Sequence, residues 1–305
     1  MTVDAHHHLW EYNDRDYVWM TGEMGRLRRN FLIPELLEVM HDSGVEATVA
    51  VQARQKTEET AWLLDLAERN PFILGVVGWV PLTDPAVDGL LEKFARSPRL
   101  KAVRHVLHDE PDDFYMLRDD FNRGVSLLRN YDLAYDILVF ERHLPQTLTF
   151  VDSHPSQIFV VDHIAKPRIK DKVTSPWREN MSQLAKRENV YCKVSGMATE
   201  ADWNTWTTDD VKPYFDVVLS AFGPKRLMFG SDWPVLTLAG GYKRWMAAFR
   251  SLIGELSAQE QSSICEGTAI AAYKLQRTTT DLVRERSELR ASAPGKAETR
   301  NQGLN

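Results

Sequence analysis

The chain alternates between two hydrophobic periodicities. Short runs rich in Val, Ile and Phe are each followed by a longer run whose apolar positions recur at helical spacing, and this happens eight times. The candidate strands are 2–6, 45–51, 73–80, 101–106, 133–140, 158–163, 190–195 and 227–230. Most are almost continuously apolar, as in Thr48-Val49-Ala50-Val51 and Ile158-Phe159-Val160-Val161. Parallel strands buried on both faces read this way. The first helical run has Pro34 at a first-turn position and stops at Gly44, as helix start and stop chemistry requires. The second, 58–70, sets Ala61, Leu64 and Leu66 among charges and stops before Pro71. Runs 86–97, 119–130, 144–153, 177–188 and 208–222 repeat the theme, and 241–256 with 258–275 close the series. A strand–helix order throughout selects an α/β fold with a parallel sheet. Eight units favour a closed (β/α)8 TIM barrel over an open doubly wound sheet, and no Gly-rich phosphate loop follows any strand.

Length fits this reading. A (β/α)8 barrel takes about 250 residues, so the 305-residue chain divides into a barrel domain at 1–276 and a polar C-terminal tail at 277–305. Two smaller domains remain an option on length alone. Residues 11–33 make a long insertion after the first strand, carrying Tyr12, Tyr17, Trp19 and Phe31. Long loops in compact domains tend to be functional, and this one is expected over the barrel mouth. Formal charge is −6, from 37 basic and 43 acidic residues, which argues against a nucleic-acid partner. Two cysteines, Cys192 and Cys265, outside any CxxC pattern suit a reducing compartment. There is no apolar leader and no run of about 18 apolar residues. The expectation is a soluble, cytoplasmic protein without a membrane partner, and the sequence sets no oligomeric state.

Candidate chemistry collects at strand ends, which all open on one face of such a barrel. His6, His7 and His8 end the first strand. Alternation puts His6 and His8 on one face and His7 on the other. A paired imidazole of this kind binds a divalent metal or donates to a substrate carbonyl; an affinity-tag remnant is the mundane alternative. His163 ends strand six, whereas Asp162 is expected to point into the wall. Asp232, in Gly230-Ser231-Asp232-Trp233-Pro234, is placed to take a proton from water attacking a carbonyl; its other reading is a cap on the following turn. Arg104 and His105 end strand four, and an arginine fork suits a carboxylate or a polarised oxygen. Gln52 follows strand two, where an amide can read a hydroxyl, and Arg54 is a weaker candidate. Trp79 at the third tip, and Tyr17 or Trp19 in the insertion, can stack on a ring. Lys193 lies within strand seven and is assigned no role.

These segments resemble a known family. Asp4-Ala5-His6-His7-His8-Leu9-Trp10, Val51-Gln52-Ala53-Arg54, Val103-Arg104-His105, Asp162-His163-Ile164-Ala165-Lys166-Pro167, Lys193-Val194-Ser195-Gly196 and Gly230-Ser231-Asp232-Trp233-Pro234 are similar, in order, to motifs of the amidohydrolase-related lactonases, above all the L-fuconolactonase and L-rhamnonolactonase group. The resemblance spans roughly residues 2–276. It implies a metal-dependent-hydrolase-like (β/α)8 barrel that opens sugar lactones, with His6, His8, His163 and Asp232 catalytic. Arg104 would contact substrate, with Gln52, Tyr17, Trp79 and His105 as further binding candidates. Two departures stand out. Metal-dependent members of the wider superfamily carry a histidine at the fifth tip, whereas this strand ends Ile137-Leu138-Val139-Phe140 with His143 beyond it. Thr268 stands where relatives often carry asparagine. A binuclear centre is therefore not expected; the site needs no cofactor or holds one zinc on His6, His8 and Asp232. A small lactone is the expected partner. A metal-dependent decarboxylase or deaminase, a lactone isomerase and a catalytically silent sugar-acid binder are the alternatives.

Overall fold

The structure is a computed structural model, described here for residues 1–276; the expected tail at 277–305 lies outside the described residues. Eight parallel strands follow one another in chain order: β1 (Val3–His7), β2 (Ala47–Val51), β3 (Ile73–Gly78), β4 (Leu100–Val106), β5 (Ala134–Leu138), β6 (Phe159–Val161), β7 (Val190–Val194) and β8 (Leu227–Phe229). A parallel bridge between His7 and Trp233 brings the last strand back to the first. At that seam the Asp232 amide donates to the His6 carbonyl at 2.8 Å and the His8 amide to the Trp233 carbonyl at 2.6 Å. The result is the expected (β/α)8 barrel. Six of its strands are one to three residues shorter than the apolar runs suggest, whereas β1 is as long as expected and β4 one residue longer.

The helices between strands are α1 (Ile33–Ser43), α2 (Thr57–Arg69), α3 (Val87–Phe94), α4 (Asp119–Leu127), α5 (Leu144–Asp152), α6 (Trp177–Leu184), α7 (Thr208–Phe222) and α8 (Tyr242–Ile253). Gly44 ends α1 in the left-handed conformation, the usual glycine stop. Short helices α9 (Ala258–Ser262) and α10 (Thr268–Tyr273), joined by one π-turn, finish the barrel. The core has two parts. One lies between strands and helices. The other fills the barrel with Val3, Ala5, Val49, Val51, Val77, Ala102, Ala134, Val160 and Met228, packed on Ala269, Ala272 and Tyr273 of α10. That packing plugs the end opposite the mouth, so only the C-terminal strand ends are left for chemistry. Among the described residues, no helix is long and apolar enough to cross a membrane.

Candidate active site

Three imidazoles and a carboxylate converge at the mouth. His6 Nε2 lies 3.2 Å from His8 Nε2. Asp232 Oδ1 lies 3.4 Å from His8 Nε2, 3.8 Å from His6 Nε2 and 3.9 Å from His163 Nε2. All four side chains are buried. Local backbone geometry produces this convergence. In β1 the pairing register slips between Asp4 and His7, so Ala5 packs inside the barrel and His6 also faces in. His7 points outward to Thr48 Oγ1 at 3.0 Å, as alternation requires. Asp4 accepts from the Ser231 amide at 2.8 Å, the Ser231 hydroxyl at 2.6 Å and the Tyr242 hydroxyl at 2.7 Å, tying β1 to the β8 loop. Asp232 itself has φ +60°, a left-handed conformation that turns its carboxylate inward.

The expectation that Asp162 points into the wall is corrected. His163, Ile164, Ala165 and Lys166 all have positive φ, so strand alternation ends at Val161. Asp162 and His163 both enter the interior: Asp162 Oδ2 accepts from Arg104 Nη1 at 3.0 Å, and Oδ1 lies 3.3 Å from His6 Nδ1. Lys193, given no role from sequence, is wholly buried beneath the histidines. Its ammonium lies 2.6 Å from Asp136 Oδ2, 3.0 Å from Asp162 Oδ1 and 3.2 Å from His6 Nδ1. Asp136 also accepts from Tyr273 of α10 at 2.7 Å. A signal for both was present in the sequence: a charge inside an otherwise apolar strand is affordable only when paired.

Two glycines set the spacing of the cluster. A Cβ on Gly230 would fall 2.9 Å from the Cβ atoms of both His6 and Ser195, and one on Gly196 would fall 2.5 Å from His163 Nδ1. Ser195 Oγ sits 2.9 Å from that same nitrogen.

The other candidates divide. Arg104 lines the interior, but its fork is engaged with Asp162 and the Gln52 carbonyl. Gln52 is buried with neither side-chain polar atom hydrogen-bonded, which leaves an amide open toward a ligand. Trp79 and His105 join each other instead: the indole N–H donates to His105 Nδ1 at 3.2 Å, and Nε2 meets Glu110 at 2.6 Å. Both ring nitrogens of His105 are thereby used, and its ring stacks on Tyr115 at 5.1 Å. Tyr17 is buried against Trp10. Its loop is pinned by Asp16, which accepts from Arg54 at 2.7 Å and Lys56 at 2.5 Å. At the fifth tip, His143 faces Asp113 at 2.8 Å and the Phe140 amide.

Electrostatics favour neutral rings and an ionised carboxylate. Burial holds His6 and His163 well below the usual imidazole range, more than offsetting the nearby carboxylates. For Asp232, burial pushes the carboxyl up; the neighbouring His163 and His8 rings and the Lys166 ammonium outweigh it, and the net shift is downward.

The donor set suits one divalent ion. Zinc at 2.0–2.1 Å from tetrahedral nitrogen ligands separates them by about 3.3–3.4 Å; the three edges of the His6, His8 and Asp232 triangle measure 3.2, 3.4 and 3.8 Å. His8 Nδ1 faces the Val51 carbonyl at 2.8 Å. A carbonyl only accepts, so that nitrogen carries the proton and Nε2 presents a lone pair. Asp162 Oδ1 is buried and ion-paired with Lys193 at 3.0 Å. It faces His6 Nδ1, where a proton must sit if Nε2 is to bind a metal. Among the described residues, His6, His8 and Asp232 form one possible metal group, and His6, Asp162 and His163 form another.

A parallel barrel with paired histidines on strand one and an aspartate on strand eight defines the class as a metal-dependent-hydrolase-type barrel. Residues 3–275 match the amidohydrolase family model, and the chain belongs to that family. It is 40% identical to the L-fucono-1,5-lactonase of Burkholderia multivorans, over 90% of this chain and 96% of that protein. It is 35% identical to the L-fucono-1,5-lactonase of Burkholderia ambifaria, over 92% and 97% respectively. A crystal structure of an amidohydrolase from Burkholderia multivorans with bound zinc superimposes with a TM-score of 0.87 at 39% identity, covering 90% of this chain and all of that one.

Proposed function

We propose that this enzyme hydrolyses a sugar lactone, opening an aldonolactone to its hydroxy acid. One observation carries the chemistry: three imidazole Nε2 atoms converge on a single carboxylate oxygen at the barrel mouth. The two lactonases named above, similar over nearly their whole length, support the substrate class. Asp232 is the general base. Its three approaches to histidine are all through Oδ1, which leaves Oδ2 to take the proton from water. The protonated carboxyl then returns that proton to the ring oxygen as the ester bond breaks. His163 is placed to donate from Nε2 to the carbonyl oxygen and stabilise the charge that develops there, and His6 and His8, whose Nε2 lone pairs suit a metal, would polarise it through the bound ion. A zinc ion held by His6, His8 and Asp232 would add Lewis-acid polarisation of the carbonyl. Gln52 offers its free amide to a substrate hydroxyl, and Arg104 holds Asp162 in place behind His6. Two free cysteines, Cys192 buried, suit a reducing cytoplasm.

The test is proton release from a panel of fresh sugar lactones in weak buffer, with and without a chelator. Release by the wild type and a loss of about 10²–10⁴ in Asp232→Asn is the expected result. A folded Asp232→Asn protein with wild-type turnover removes Asp232 as the base. Isomerised lactone in place of acid would redirect the reading to ring migration.

A further inference from the structure

Two polar side chains at the end of β7 bond to the histidines from within the barrel. Lys193 and Ser195 stand two positions apart, so they share a face of the extended chain, and both are wholly buried. A lysine ammonium has three N–H donors and no acceptor. That of Lys193 meets three acceptors: Asp136 Oδ2 at 2.6 Å, Asp162 Oδ1 at 3.0 Å and His6 Nδ1 at 3.2 Å. On the other side of the His6 ring, Nε2 lies 3.2 Å from His8 Nε2, which keeps a lone pair because His8 Nδ1 donates to the Val51 carbonyl. A His6 ring protonated at Nε2 satisfies both contacts. The opposite tautomer sets N–H against ammonium and lone pair against lone pair. It gains only the longer approaches of Asp162 Oδ1 at 3.3 Å and Arg104 Nη1 at 3.4 Å. His163 repeats the arrangement. Its ring packs on His6 at 4.4 Å, carried by the left-handed turn whose Ile164 carbonyl accepts from the Trp177 indole at 2.7 Å. Ser195 Oγ lies 2.9 Å from His163 Nδ1 and has no other hydrogen-bond partner among the described residues. The hydroxyl therefore donates to that nitrogen, since a buried donor left unmade is costly. Nε2 then carries the ring proton, as suits a nitrogen 3.9 Å from the Asp232 carboxylate.

We propose that Lys193 and Ser195 are positioning residues that fix the ring protons of His6 and His163 on Nε2, so that the mouth, before any ion binds, offers two N–H donors to the lactone carbonyl. The assignment rests on the lactonase reading for the identity of that oxygen. Both rings stay neutral; only the nitrogen that carries the proton is chosen. Donors preorganised toward a developing oxyanion are a large source of rate enhancement. The His6 N–H exchanges His8 for the substrate oxygen, whereas the His163 N–H has Asp232 only at 3.9 Å and is free to take it. The same choice bears on zinc. A ligand at His6 needs the lone pair on Nε2, so the ring proton must then sit on Nδ1, give up the Lys193 bond and face Asp162 Oδ1. Lys193 holds His6 in the form that donates, and Asp162 supports the form that ligates.

The experiment is long-range proton–nitrogen NMR on the full chain, labelled with nitrogen-15 histidine and freed of metal by a chelator. His6→Gln, His8→Gln and His163→Gln assign the rings. His6 and His163 should show the Nε2–H pattern, beside the Nδ1–H pattern of His8. An Nδ1–H pattern at His6 or His163 overturns the proposal. In Ser195→Ala the His163 ring should populate its second tautomer while His6 keeps its own. A net hydrogen bond gives roughly a 2- to 12-fold preference, so kcat for sugar-lactone opening should fall by about that factor with KM nearly unchanged. A folded Ser195→Ala protein whose His163 ring stays wholly Nε2–H overturns the part given to Ser195, because a packing role moves stability and not the tautomer. Lys193→Met should shift His6 toward Nδ1–H, and an unshifted His6 overturns the part given to Lys193. If Lys193→Met does not fold, the wild-type spectrum and Ser195→Ala decide. The spectra need no substrate. A wild type that opens no sugar lactone therefore fells the lactonase reading by itself, and the ring patterns of His6 and His163 still uphold or overturn the roles of Lys193 and Ser195.

Discussion

Gly196→Ala is the sharpest test of how the histidine cluster is held. The added Cβ would stand 2.5 Å from His163 Nδ1 and 2.7 Å from its Cγ. Ordinary contact begins near 3.4 Å, so the imidazole must retreat by about 0.9 Å, the difference of those two distances. It cannot do so freely: Ser195 holds Nδ1 at 2.9 Å, and the backbone of His163 belongs to the left-handed turn. Two costs arise. The positive φ of Gly196, +62°, adds about 1–2 kcal/mol for a residue with a Cβ. Overpacking adds about 1–3 kcal/mol. Catalytically, a displacement near 1 Å costs on the order of 10²-fold in rate. Gly44→Ala is the matched control. It has φ +67° in the same left-handed region, and its nearest neighbour to a built Cβ is the end of the Arg250 side chain at 3.4 Å. Urea unfolding should therefore show a loss of about 1–2 kcal/mol in Gly44→Ala and about 2–5 kcal/mol in Gly196→Ala. Only Gly196→Ala should lose about 10²-fold in kcat for lactone opening. Equal kcat in the two folded variants would refute the argument that Gly196 exists to admit the His163 ring.

Three further outcomes are expected. Lys193→Met should destabilise by about 3–5 kcal/mol, read by urea unfolding, because it leaves Asp136 and Asp162 wholly buried without their shared cation. Gln52→Leu should keep or raise thermal stability, since it removes two buried unpaired atoms, yet raise KM for the sugar lactone. Burial lowers the His105 pKa from its usual value, partly countered by Glu110. The unfolded chain then takes up the proton first, so this contribution to stability is intact above about pH 6.5 and lost as pH falls below it. The decline in unfolding free energy between pH 7 and pH 5 should be shallower in His105→Gln than in wild type.

The barrel was legible from sequence because two periodicities alternated eight times, and each apolar run proved to be a parallel strand. The pair His6 and His8 was legible for the same reason: at the β1 tip, His7 does turn outward to Thr48. The β6 tip was not, since alternation presumes extended backbone, and four successive left-handed residues abolish it. Nothing in Ile164-Ala165 signals a conformation that usually calls for glycine; it is imposed by the buried Trp177 bond and the packing around it. Lys193 and Asp136 were missed because pairing across the barrel joins residues 57 positions apart.

The buried charges beneath the site explain how neutral histidines and an ionised aspartate coexist there. Arg104 and Lys193 face Asp136 and Asp162 in the barrel interior, two cations against two anions. A single unpaired charge at that depth would dominate the potential at His6, and Coulomb interactions are strong where water is excluded. The balanced quartet leaves burial as the leading influence on the rings, which favours the uncharged form. Neutral rings can donate to a carbonyl or bind a metal, whereas protonated ones would repel the ion and neutralise Asp232 by ion pairing. Asp232 stands one layer above, nearer the rim, where the Lys166 ammonium helps keep it ionised. The left-handed turn that carries Lys166 and His163 therefore serves both halves of the site: it brings the His163 ring into the cluster and a cation toward Asp232.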